Sequence, residues 1–67
     1  MTVIIERPIK RAAGQAVRAR RLRENYYAIE LLRPDGAWWE IPLSAARTKQ
    51  DAIDAVRDIA RTLVWET

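Results

Sequence analysis

Between two apolar runs of this 67-residue chain sits Pro34-Asp35-Gly36, and no other stretch restricts the fold as tightly. Proline presets the first turn position and glycine takes the positive φ, the pattern of a three-residue hairpin loop with a bulge. A hairpin loop fixes register, because side chains alternate between faces with period two. Pairing Arg33 with Ala37 sets Leu31 opposite Trp39, Ile29 opposite Ile41 and Tyr27 opposite Leu43 on one wholly apolar face. The other face pairs Leu32 with Trp38, Glu30 with Glu40 and Ala28 with Pro42, a mixed set that suits water. The doublet Trp38-Trp39 is thereby split: Trp39 is expected in the core, Trp38 on the outside.

The apolar face needs a cover, and the sequence supplies one. Thr48 is a good helix N-cap with Asp51 three residues on, the spacing of a capping box, where a carboxylate also suits the positive helix end. A helix is predicted from about Lys49 to Val64. Ala52, Ile53, Val56, Ile59, Ala60, Leu63 and Val64 recur at helical spacing, while Asp51, Asp54, Arg57, Asp58 and Arg61 take the opposite side. This stripe is expected on the Leu31/Trp39/Ile41 face, with Trp65 covering the end of the core. Truncating Trp39 should then cost about 3–5 kcal/mol.

The N-terminal third admits two readings. "TVIIE" is β-branched and reads as a strand. In one reading "QAVRARRL" is a second strand, joined by a tight turn near Arg23-Glu24-Asn25 to "YYAIELL". The chain is then an α+β domain, residues 1–67, in which an antiparallel meander of three or four strands carries one C-terminal helix on one face. In the alternative, Pro8 starts an extra helix over about residues 8–23, giving βαββα, with Ile9, Ala12, Ala13, Ala16 and Val17 as a weak apolar stripe. Gly14 in the middle of that helix counts against it by about 1 kcal/mol relative to alanine.

Several chemistries are excluded by what the chain lacks. With neither cysteine nor histidine there are no disulfides, no thiolate nucleophile, no zinc site with nitrogen or sulfur ligands and no imidazole catalysis. Two glycines, Gly14 and Gly36, cannot form a phosphate-cradling loop. Ser44, the only serine, has no histidine to activate it. Glu30 and Glu40, about 5 Å apart across a strand pair, could share a proton in principle. Arg18 or Arg20 on the next strand is the simpler partner for them. Asp51, Asp54 and Asp58 spread along a solvated helix face without a loop to wrap an ion. No cofactor and no catalytic group are therefore expected. No apolar run approaches the roughly 20 residues of a membrane span, and no signal-peptide core is evident, so a cytoplasmic location is expected.

Binding remains. Residues 1–23 carry seven Lys/Arg against the single Glu6, a net of +6, while residues 24–67 carry five against eight acids, a net of −3. The "RARRLR" run from Arg18 to Arg23 is the natural footprint for an anionic partner. In the meander, Arg18 and Arg20 share the outer sheet face with Trp38 and Leu32, and arginine with an aromatic is enriched both at protein hot spots and on nucleic-acid platforms. Arg18, Arg20, Arg21, Arg23, Trp38 and Leu32 are the candidate contact residues. An arginine stacked on Trp38 could equally serve to shield the second face of a small sheet.

The stretch "DGAWWEIPLSAARTKQDAIDAVRDIA", from Asp35 to Ala60, combines a hairpin, a tryptophan strand, a short loop and a capped amphipathic helix. In this it resembles the N-terminal DNA-binding domains of phage-type integrases, departing from them at Ala46-Arg47, where those domains carry a bulky apolar residue nearby. The resemblance implies that the sheet enters a DNA groove with Arg18, Arg20 and Trp38 on the recognition side. The chain's length is also similar to that of phage-encoded inhibitor proteins, anti-CRISPRs among them. The expected function is therefore a non-enzymatic binding protein for a nucleic acid or nucleoprotein complex. The alternatives are an inhibitor that blocks a protein target, and a homodimer that pairs its Trp38 faces.

Overall fold

A computed structural model describes residues 2–9, 14–42 and 44–62. Four strands, β1 (Thr2–Pro8), β2 (Ala16–Arg23), β3 (Tyr26–Leu32) and β4 (Trp38–Glu40), precede one helix, α1 (Lys49–Thr62). The strands pair antiparallel in the order β1-β2-β3-β4, so the fold is the α+β meander with a C-terminal helix on one face. The extra N-terminal helix does not form, because Ala16 and Val17, on which its stripe depended, lie in β2. Period two satisfies that segment better: Val17 and Ala19 are fully buried on one face, while Arg18 and Arg20 leave from the other. Lys10 to Ala13 lie outside the described residues.

Both tight turns follow from local chemistry. Arg23 pairs with Tyr26, which leaves Glu24-Asn25 as a two-residue connection, and Asn25 takes the left-handed conformation (φ 59°) that asparagine tolerates. At the second turn, Arg33 N donates to Ala37 O (2.8 Å) and Gly36 N to Arg33 O (2.9 Å), with Gly36 at φ 91°. The Asp35 carboxylate accepts from Ala37 N (2.9 Å), so each residue of the Pro-Asp-Gly loop has a distinct task. The register that results pairs Leu32 with Trp38, Leu31 with Trp39 and Glu30 with Glu40, as the turn dictates.

Beyond Glu40 the ladder departs from the sequence reading. Ile41 N still donates to Ile29 O (2.9 Å), but Pro42 has no N–H to give, and Ser44 Oγ turns back to bond Ile41 O (2.6 Å). Tyr27, expected opposite Leu43, instead exchanges both backbone hydrogen bonds with Ala46 (2.8 and 2.9 Å). Leu43 lies outside the described residues.

The helix starts as its cap requires, with Asp51 N donating to Thr48 Oγ1 (3.1 Å). Ala52 and Val56 enter a core shared with Ile9, Val17, Ala19, Ile29 and Leu31, and Ala55, Ile59 and Ala60 pack beside them. The buried face thus runs through Ala52, Ala55, Val56, Ile59 and Ala60, an i, i+3, i+4, i+7, i+8 series. Ile53, expected within it, is half-buried at its margin. Leu63, Val64 and Trp65 lie outside the described residues. Among the described residues no helix is long and apolar enough to cross a membrane.

Trp39 is the main correction. It shares the helix-bearing face with Leu31, yet it is 43% exposed, while Leu31 is buried. The reason is width. A helix is about 10 Å across with its side chains, and strands lie about 4.8 Å apart, so one helix spans only two to three strands. Here α1 packs over β1, β2 and β3 and leaves β4 outside its footprint.

Candidate functional site

The sheet face turned away from α1 is organised around Glu30. In the cross-strand row Glu6, Arg18, Glu30 and Glu40 stand side by side, three acids with one arginine. Like charges so placed would repel, yet Glu30 is among the most buried residues, 6% exposed. Two guanidinium groups resolve the conflict. Arg18 Nε donates to Glu30 Oε1 (2.7 Å), and Arg20, two residues along β2, brings Nη2 to 3.0 Å from Oε2. The Arg-Ala-Arg spacing makes this possible: both arginines share a face, and the intervening Ala19, fully buried, lets the helix lie close on the other.

Trp38 completes the cluster. The Arg18 guanidinium lies 3.9 Å from the centre of the Trp38 ring, a cation–π stack that also holds the arginine toward Glu30. With its partners on both sides, the Arg18 side chain is only 17% exposed, and Arg20 is 31% exposed. Trp38 and Leu32, expected to be the outward contact pair, are half-buried. The face is drier than its composition suggests, since Ala28 beside Glu30 is fully buried too.

The run of arginines read from the sequence is thus divided by its environment. Arg18 and Arg20 are internal ties between β2 and β3. Arg21 pairs with Tyr27 two rows on from Ala19 and Ile29, which puts it on the helix-bearing side, exposed and away from the others. Arg23 returns to the outer face, because the ladder shifts register between Arg21 and Arg23. There it is exposed and lies over the ring of Tyr26, 5.0 Å from its centre. Arg18, Arg20, Arg23, Trp38 and Leu32 therefore share one face, and Arg21 does not.

One depression adjoins this face at the β2–β3 turn. It has a volume of about 310 Å³ and is lined by Arg23, Glu24, Tyr26, Ala46 and Arg47 among others. Arg47 and Tyr26 were not among the contact residues expected from the sequence. Tyr26 was within reach of it, since a two-residue turn at Glu24-Asn25 must set Arg23 opposite Tyr26. Arg47 was not, because its position depends on the Tyr27–Ala46 pairing that replaces the interrupted end of β4.

Among the described residues no group of three or more acidic side chains is placed to hold a metal ion. Compared with family models, with curated proteins and with solved structures, the chain finds no match.

Proposed function

We propose that this chain is a non-enzymatic binding domain that lays the outer face of its sheet against a nucleic acid or nucleoprotein. The observation that carries the reading is the division of the arginines: Arg18 and Arg20 hold the face rigid, while Arg23 stands exposed on it beside Tyr26. A preorganised platform with arginine and aromatic side chains loses little entropy on contact, and an exposed guanidinium matches phosphate oxygens. It is also the face that the resemblance to integrase DNA-binding domains implies.

The reading is tested by fluorescence anisotropy with labelled oligo-dT and a labelled duplex. Binding is expected at roughly 50 mM salt in the micromolar range, and it should weaken steeply as salt rises. Arg23→Ala should weaken it across sequences. Absence of binding to either probe at tens of micromolar protein would contradict the reading.

A second reading, a protein-directed inhibitor, draws support from Trp39, a 43% exposed indole on an edge strand, since exposed aromatics at sheet edges are typical anchors for protein partners. A partner captured from the native host would then survive nuclease treatment and be lost with Trp39→Ala.

A further inference from the structure

The depression at the β2–β3 turn is built from two separate parts of the chain, and its charge is not balanced. Arg23 and Arg47 line it against the single carboxylate of Glu24, a local net charge of +1. Among the described residues neither arginine lies within ion-pair distance of an acid, in contrast to Arg18, Arg20, Arg33 and Arg61. Arg23 is held at its side chain, and Arg47 follows a fixed stretch of backbone. The Tyr26 ring supports the Arg23 guanidinium, and the two backbone hydrogen bonds between Tyr27 and Ala46 fix the residue next to Arg47. Two guanidinium groups lining one open depression, that of Arg23 stacked on Tyr26, suit a multi-oxygen anion, because the planar fork of arginine donates to two oxygens at once.

We infer that this depression seats a phosphate group. The inference rests on the nucleic-acid reading for the source of that group: a phosphodiester of the strand that lies on the outer sheet face. Arg23 belongs to both surfaces, so a strand lying on the face reaches the depression at the β2–β3 turn. The size agrees. Pockets for whole small ligands begin at about 300 Å³, so a space of about 310 Å³ suits a phosphate with its adjoining sugar better than a large cofactor.

The test is amide chemical-shift mapping on the isotopically labelled full chain, titrated separately with inorganic phosphate and with oligo-dT, together with oligo-dT affinities at several salt concentrations. Oligo-dT is expected to shift the amides of Arg23, Tyr26, Ala46 and Arg47 along with those of Trp38 and Leu32. Arg47→Ala, at an exposed position, should keep the thermal midpoint while lowering the slope of log affinity against log salt by about 0.7, the value of one single-strand phosphate contact. Glu24→Gln should tighten binding several-fold by removing the opposing charge, an effect no purely structural role for the turn would give. Arg57→Ala, on the exposed side of α1, should change neither quantity.

Shifts confined to Trp38 and Leu32, with an unchanged slope in Arg47→Ala, would overturn the phosphate seat and leave the face reading intact. Shifts in the depression with inorganic phosphate, but no oligo-dT binding, would keep the phosphate seat and overturn the nucleic-acid source. No response to either probe would overturn both.

Discussion

Trp38 and Trp39 leave β4 in opposite directions and meet different neighbours, and their energetics follow from those neighbours. Trp38 is half-buried beneath the Arg18 guanidinium, so its truncation removes apolar contact and a cation–π stack worth about 0.5–2 kcal/mol. Trp39 has 43% of its surface in water and no helix above it. In urea unfolding, Trp38→Ala should therefore cost more stability than Trp39→Ala, with about 2–3 kcal/mol expected for the first and about 1 kcal/mol for the second. The reverse order would mean that Trp39 is covered in solution. The alternation of side chains was legible in the sequence and correctly assigned each indole to a face. Exposure was not, because it depends on where the helix lies across the sheet, and no residue pattern in one strand encodes that.

At the scale of elements, the punctuation of the chain was its most readable part. Pro34-Asp35-Gly36 set the β3–β4 register residue by residue, and Thr48 set the start of α1, because both act through bonds made within a few positions. Thr48→Ala removes the acceptor for Asp51 N and should destabilise the domain by about 1 kcal/mol, seen as a lower urea midpoint with an unchanged slope. A loss below about 0.3 kcal/mol would show that the cap bond is replaced by water at no cost. The segment after Pro42 was the least readable. A proline that ends a ladder is recognisable, but which later residue re-enters the pairing is a contest among non-local contacts, and Ala46 wins it over Leu43. That contest also decides where Arg47 stands, and with it one wall of the candidate phosphate site.

At the scale of the whole molecule, the charge asymmetry of the sequence is partly cancelled within the fold. Part of it is consumed internally: Glu30 ties up Arg18 and Arg20, and Glu6 and Glu40 stand in the same row. Arg23 and Arg47, by contrast, stand exposed at the depression beside the β2–β3 turn. Sequence alone could not separate these roles, since the carboxylate that distinguishes them sits on another strand and its burial is a property of the assembled sheet. The separation has a thermodynamic signature. Removing one partner of a buried ion pair costs about 3–5 kcal/mol, and somewhat less here because Arg20 stays on Glu30, whereas an exposed stacked arginine contributes about 0.5–1 kcal/mol. Equilibrium urea unfolding of Arg18→Ala beside Arg23→Ala reads this difference directly. Arg18→Ala is expected to lose about 2–3 kcal/mol and Arg23→Ala no more than about 1 kcal/mol. Equal losses, or a larger loss for Arg23→Ala, would contradict the division of the arginine run into a structural pair and an exposed contact residue.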